Sequence, residues 1–450
     1  MLAPQPVLQS EVTADVVVVG GGYTGLWAAW WLLEREPEAR VVVLEADLCG
    51  HGPSGRNGGF VNSLWYAIPN LRERFGAAGA LAVARAAEQS MASIGAWCED
   101  NEIDAWYRRA GHLVVSTAPA FDAVSEPAVA ACAEVGEPES YVFLDQADLR
   151  ARCASPLFRR AAFMPAAATV QPARLALGLR ERLIERAVAI HERSPVRRME
   201  GGPNGVVAET PGGRVRAAAG VLALNASSAG VAPLRRRLTV ASSHIVLTEP
   251  VPDVLEEIGW TGGESISDAR AYLHYFRTTL DGRIVFGWAG GRMAYGARVR
   301  GRIEVDSDVA AQVRRDLVRV FPALERRRLT HAWGGPIDIS PSHLPVFGTL
   351  SGGRVHYGFG YTGNGVGPSH LGGRILASLA LDRRDEVTRL ALVEPPVLKV
   401  PSEPFRYLGG QLIRSAFLRK ERAEERGRRV DPLTAFVADV PRRLGLHVGR

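Results

Sequence analysis

Residues 15–26 read Asp-Val-Val-Val-Val-Gly-Gly-Gly-Tyr-Thr-Gly-Leu. The four valines form a β-branched run that suits a buried strand. Gly20, Gly22 and Gly25 follow in a G-x-G-x-x-G spacing, and residues 26–33 continue as an apolar helix. A second apolar strand, Val41–Leu44, ends on Glu45, twenty residues after Gly25. Each part has a task in gripping a dinucleotide. Gly20 permits a tight turn, Gly22 lets a pyrophosphate approach the backbone, and Gly25 lets helix and strand pack closely. The helix N-terminus offers free N–H groups and the positive end of its dipole to the phosphates. The Glu45 carboxylate can accept hydrogen bonds from ribose hydroxyls. Strand, loop, helix and acid together predict a dinucleotide-binding unit; the alternative is a glycine-rich turn that holds no ligand.

The chain has 450 residues, enough for two or three domains, and its 46% hydrophobic and 23% charged content is ordinary for a globular protein. Net charge is +6, and all but Lys399 and Lys420 of its 54 basic residues are arginines. The arginines are interleaved with Glu and Asp along the whole length, which argues against a nucleic-acid surface. Cys49, Cys98, Cys132 and Cys153 show no C-x-x-C or zinc spacing, so no metal site is expected. The first basic residue is Arg35, so no basic segment resembles the start of a secretory signal, and a cytoplasmic protein is expected. Residues 16–33 are uncharged and near membrane-spanning length, but their glycines and their switch from strand to helix pattern fit the nucleotide motif better.

Further along, helices are expected over 70–101, 145–153, 172–187 and 306–321, and strands over 113–117, 206–210, 214–216, 221–224 and 355–359. Asp281-Gly282 marks a two-residue hairpin between β-rich runs in residues 272–287. A second glycine block at 358–367 leads into a helix through Leu381. Beyond Pro395-Pro396 an amphipathic helix carries Leu408, Leu412, Ile413, Ala416 and Phe417 on one face, and residues 419–429 read as a solvated helix end.

Four blocks resemble the D-amino-acid-oxidase-type flavoproteins, the family of glycine and sarcosine oxidases, and within it the gamma-glutamylputrescine oxidoreductase branch. They are the opening motif with Glu45, Ser54-Gly-Arg-Asn-Gly-Gly59, Leu222-Ala-Leu-Asn225, and the stretch from Trp333-Gly-Gly through Pro345 to Gly360-Tyr-Thr-Gly-Asn-Gly-Val366. The resemblance spans about residues 14–382 and implies an α/β fold. A Rossmann-like, doubly wound FAD-binding domain (residues 1–70, 155–232 and 331–392) would carry an inserted substrate domain of antiparallel sheet plus helices (71–154 and 233–330), followed by a helical tail (393–450). It implies FAD contacts at Gly20, Gly22, Tyr23, Thr24, Gly25, Glu45, Ala46, Ser54, Gly55, Arg56, Asn57, Gly58, Gly59, Val196, Asn225, Gly335, Gly360, Thr362, Gly363, Asn364, Gly365 and Val366. The physics of the last block agrees: a helix N-terminus stabilises the negative charge that a reduced flavin gathers.

The family chemistry is oxidation of a C–N bond in an amine or amino acid, with O2 or another acceptor taking the electrons. Tyr272, His274 and Phe276 share one face of a strand expected to look at the flavin, with Tyr275 and Arg277 facing away. His274 is the candidate proton acceptor, and Tyr272 and Tyr361 complete the expected catalytic set. Trp65, Trp288, Trp333 and Tyr361 are candidate aromatic walls for an amine. Some members bind FAD covalently through a cysteine before the last glycine block or a histidine near the second. No cysteine follows Cys153 and His51 stands outside the expected place, so non-covalent FAD is expected. Sarcosine oxidases place a lysine over the flavin for reaction with oxygen, whereas both lysines here are in the tail, which leaves the acceptor open. An NAD-linked dehydrogenase, an RNA-modifying flavoprotein and a non-catalytic FAD-binding module remain as alternatives.

Overall fold

The computed structural model describes residues 3–447. The valine run is the strand Glu11–Val19, and it pairs in parallel with Val41–Leu44 on one side and Arg214–Leu222 on the other. Both of its faces are covered. Val16 and Val18 enter a core shared with the helices Tyr23–Arg35 and Val366–Ala380, while Val17 and Val19 enter an opposite cluster with Val206, Val215 and Leu238. This two-sided burial explains an apolar run without alternation. The two helices approach closely because Gly373 has no side chain; a Cβ there would lie 2.4 Å from Trp27 Cβ.

This first sheet has eight strands. The expected strands at 214–216 and 221–224 are one, Arg214–Leu222. Its first half forms an antiparallel pair with Gly205–Glu209 and its end pairs in parallel with Val355–Phe359. The expected helix over 70–101 is Ile68–Asp100, broken at Gly76, whose φ of 71° only glycine adopts readily.

A second eight-stranded sheet runs in the order Leu329–Ile339, Thr239–Thr248, Ile284–Trp288, His274–Thr278, Ser265–Asp268, His112–Ser116, Arg160–Met164, Val142–Leu144. It is mostly antiparallel, as expected; Ser265–Asp268 and His112–Ser116 run in parallel. Two strands of this sheet fall within segments assigned by sequence to the nucleotide unit. Arg160–Met164 pairs with His112–Ser116, and the eleven-residue Leu329–Ile339 runs along Thr239–Thr248. The back of the sheet is closed by the helix Ser307–Val320, whose Val309, Val313 and Leu317 pack with Phe276, Phe286 and Trp260.

The tail helix Phe405–Glu425 differs from its expected amphipathic reading. Leu408 and Leu412 are exposed, at 59% and 60%, whereas Arg406 and Glu421 are buried. The helix docks through polar groups on exposed backbone. Glu421 accepts the N–H groups of Ala271 and Tyr272, Arg406 donates to the carbonyls of Arg235 and Leu238, and Arg414 donates to Gly290. A second tail helix, Pro432–Arg443, packs beside it. No helix among the described residues is long and apolar enough to cross a membrane.

Candidate active site

A cavity of about 910 Å³ runs from the first sheet to the face of the second. At the first-sheet end it is lined by Gly20, Gly22, Tyr23, Thr24, Glu45, Ala46, Val196 and Asn225. Gly20 has φ +111°, and a Cβ on it would lie 2.4 Å from the carbonyl oxygen of Ala223. Gly25 does not reach the cavity; a Cβ there would lie 1.9 Å from Gly20 O, so its task is to let the helix sit on the turn. Helix Tyr23–Arg35 starts with no side-chain cap from its N-cap Gly22, and the Tyr23 N–H donates to Ser54 Oγ at 2.9 Å. Glu45 accepts the N–H groups of Gly21 (2.7 Å) and Asp47 (2.8 Å). Burial nevertheless pushes its carboxyl above the usual range.

The second block divides in two. Ser54, Arg56, Asn57 and Gly58 line the cavity. Gly55 and Gly59 do not; a Cβ on either would lie 2.2 Å from a carbonyl oxygen, Gly50 O and Val170 O respectively, so both permit packing. Arg56 is held by Glu304 at 3.0 Å. Behind Gly58 lies Arg277, fully enclosed, which donates from Nε to Gly58 O; burial lowers its pKa to about 10.

The last block also divides. Tyr361, Thr362, Gly363, Asn364, Gly365 and Val366 line the cavity together with Gly335, whereas Gly360 is set back with φ +84°. The helix Val366–Ala380 begins here without a side-chain cap. Asn364 donates to Tyr66 Oη at 2.7 Å, and Thr24 donates to Tyr361 Oη at 2.9 Å. Asp338 is among the lining residues that the sequence reading missed. Asp338 is 1% exposed, accepts the Gly360 N–H at 2.6 Å, and burial raises its carboxyl to about 7. The only signal was an acid between two isoleucines in an otherwise apolar strand end.

At the opposite end the wall is the second sheet: Ser243, Ile245, Ser267, Leu273, Tyr275 and Ala289, with Phe60, Asn62 and His112 beside them. This corrects the expected catalytic set. The alternation along the strand is as read, but its faces are exchanged. Tyr275 faces the cavity, while His274 and Phe276 point into the core beneath helix Ser307–Val320. The His274 ring lies between Asp268 at 2.7 Å and Asp316 at 3.2 Å. Burial opposes its charge, but the two carboxylates outweigh burial and raise its pKa, so it is a core cation rather than a poised base. Tyr272 packs on Phe417 of the tail helix. Of the expected trio only Tyr361 reaches the cavity, and burial keeps its hydroxyl protonated. Trp65, Trp288 and Trp333 also stand outside the lining. Trp65 is buried against Glu88, Trp288 donates to Tyr272 O, and Trp333 donates to Arg56 O.

The residues fit a flavin dinucleotide: a glycine turn and an acid at the first-sheet end, and two helices that begin at the cavity with no side-chain cap from their own N-cap glycines, Gly22 and Gly365. Asn225 Oδ1 and Asp338 Oδ1, on lining residues, are buried and unpartnered. Comparison with known proteins points the same way. The family model for FAD dependent oxidoreductases matches residues 15–379, and the chain belongs to that family. It is an FAD-dependent oxidoreductase. Among individual proteins, it is 30% identical over 424 residues to gamma-glutamylputrescine oxidoreductase of Escherichia coli (strain K12), covering 92% of both chains. It is 28% identical over 427 residues to the probable oxidoreductase OrdL of Rhizobium meliloti (strain 1021), covering 92% of this chain and 91% of that one. In fold it resembles glycine oxidase from Geobacillus kaustophilus, with a TM-score of 0.67, 20% identity and coverage of 83% and 96% of the two chains.

Proposed function

We propose that the enzyme oxidises the C–N bond of an amine. One observation carries this reading: a single cavity joins the dinucleotide turn to the hydroxyl-lined face of the second sheet. When bound, FAD supplies a two-electron acceptor, so that a neutral amine R–CH2–NH2 gives up a hydride equivalent and becomes R–CH=NH2⁺. Water then converts this product to an aldehyde and ammonium.

The chain's own task is to bind, orient and exclude water. Gly20, Gly22, Tyr23, Thr24, Glu45, Ala46, Val196 and Asn225 hold the ADP half. Ser54, Arg56, Asn57 and Gly58 run along the middle. Gly335 and residues 362–366 present backbone N–H groups and a helix dipole to the end where charge gathers on reduction. Tyr361, fixed by Thr24, is a positioning residue between two helices. The absence of lysine among the described residues lining the cavity favours an acceptor other than oxygen.

The four cysteines are buried and unpaired, which suits a reducing cytoplasm. Arginines such as Arg40, Arg159 and Arg383 are engaged by carboxylates, which suits a solvated surface better than a nucleic-acid footprint.

The test is anaerobic mixing of the yellow holoenzyme with a panel of primary and secondary amines and amino acids. Loss of flavin absorbance with one or more of them supports the reading. A flavin that no member bleaches rejects it.

A further inference from the structure

The second-sheet end of the cavity is lined by hydroxyl groups whose protons point away from it. Ser243 Oγ lies 3.0 Å from the carbonyl oxygen of Trp288 and 2.6 Å from Tyr275 Oη. A carbonyl can only accept, so the Ser243 proton goes to Trp288, and Tyr275 must donate to Ser243. The Tyr275 oxygen then has only lone pairs to offer the cavity it lines.

The next strand repeats the pattern. Ser265 Oγ has Gly111 O at 3.5 Å and His112 Nδ1 at 2.9 Å, and the tautomer that carries its proton on Nδ1 lets the serine serve both. In that tautomer His112 Nε2 is the acceptor for the Ser267 hydroxyl at 3.0 Å. The Ser267 oxygen, also in the lining, is likewise left with lone pairs alone.

No lysine or arginine is bonded to these acceptors among the described residues; Arg277, on the same strand face as Tyr275, stays behind Gly58 and donates to Gly58 O and Thr278 O. Among the described residues, the lysines and arginines that line the cavity are Arg56, Arg197 and Arg198. Arg56 is tied to Glu304, and Arg198 opens a strand of the first sheet and pairs with Glu200. Arg197, its chain neighbour, donates its N–H to Glu209 O of that sheet.

We propose that Tyr275 and Ser267 are the specificity-determining residues of this cavity. Their acceptor-only oxygens take the N–H groups of an amine and repel a carboxylate on the reacting carbon. The substrate class is then R–CH2–NH2 or its N-alkyl form, not an α-amino acid. Phe60, whose ring stands edge-on to both Tyr275 (5.6 Å) and His112 (5.9 Å), makes the apolar side of the same corner. This inference rests on the amine-oxidation reading above.

The experiment uses matched pairs that differ only by the α-carboxylate. Butylamine is set against norvaline, benzylamine against phenylglycine, N-acetylputrescine against Nδ-acetylornithine, and N-methylbutylamine against N-methylnorvaline, with both enantiomers of each acid. Each is mixed anaerobically with holoenzyme and the rate of flavin bleaching recorded. The carboxylate-free member of every reactive pair should be faster by roughly 100-fold or more, because a carboxylate would be buried against acceptors with no cation.

A carboxylated member that bleaches as fast as its partner overturns the specificity proposal and leaves amine oxidation standing. No bleaching by either set rejects the amine reading, and the proposal with it. Tyr275→Phe separates the residue's role from a structural one. At unchanged melting temperature and FAD content, KM for the preferred amine should rise about 10-fold with a smaller change in kcat, as expected for one lost hydrogen bond. The preference over the carboxylated partner should fall by a similar factor. A preference unchanged in Tyr275→Phe and in Ser267→Ala overturns the assignment.

Discussion

Gly287 and Tyr275 face each other across an antiparallel strand pair, and the tyrosine ring fills the space where a side chain on Gly287 would begin. A Cβ there would lie 2.2 Å from Tyr275 Cζ. Gly58 bounds the same ring from the other side, its Cβ position lying 2.9 Å from Cε2. The ring is thus seated between two residues chosen for having no side chain. Gly287→Ala should push it toward the cavity and lower kcat/KM for a reactive amine on the order of 100-fold, the cost of about 1 Å of misplacement. FAD content should stay unchanged. Steady-state kinetics at full flavin occupancy check this, and an unaltered kcat/KM would show that the ring position is not used.

His274→Phe should damage stability rather than chemistry. It leaves Asp268 and Asp316 buried without the cation they share. Breaking such a pair costs roughly 3–5 kcal/mol. Urea unfolding should show that loss, while flavin bleaching per folded, FAD-loaded molecule stays within a few-fold of the parent. A selective loss of bleaching in a stable variant would restore His274 to the chemistry.

Asp338 makes the apoprotein sensitive to pH in a defined direction. Its folded carboxyl titrates at about 7, whereas an unfolded aspartate titrates near ~3.9. Between those values the folded chain holds a proton that the unfolded chain has lost, so stability falls as pH rises. The melting temperature of the parent relative to Asp338→Asn should therefore drop from pH 5 to pH 8. A flat difference across that range would mean that the carboxyl is not held neutral.

Glu45→Ala should weaken FAD rather than slow the chemistry of bound enzyme. It removes the acceptor of the Gly21 N–H beside the first turn and the acid expected at the ribose. Loss of a charge-assisted bond of about 1.5–3 kcal/mol corresponds to a roughly 10- to 150-fold higher Kd. Fluorescence of FAD released on dilution measures it. Acid precipitation of the parent should release all of its flavin to the supernatant, as expected for a cofactor that is not covalently attached.

The glycines were readable because the demand on each is absolute: beside Gly20, Gly25, Gly55 and Gly59 stands a carbonyl that any side chain would strike. The face of the strand 272–277 was not. Both faces carry rings and polar groups, and the choice is made by helix Ser307–Val320, which covers one of them from thirty residues downstream. The pattern along that strand contains the alternation but not its sign. The tail misled for a related reason. Its leucines suggested an apolar contact, yet the surface it meets is the unpaired backbone of residues 271–272 and 290, which buried Glu421 and Arg414 satisfy. Asp338 was invisible because a lone acid in a strand gives no hint that a later glycine turn will bring an N–H to it.

The bond from Glu421 to Ala271 and Tyr272 braces the segment whose next residue, Leu273, lines the cavity. This has a consequence for the order in which the protein is made. All three glycine blocks, and every strand of the first sheet, leave the ribosome before helix Phe405–Glu425 does. The cofactor cradle can therefore close on a nascent chain whose substrate end still lacks its brace. The wall around Leu273 therefore gains its brace only after helix Phe405–Glu425 has been synthesised and has docked on residues 271–272.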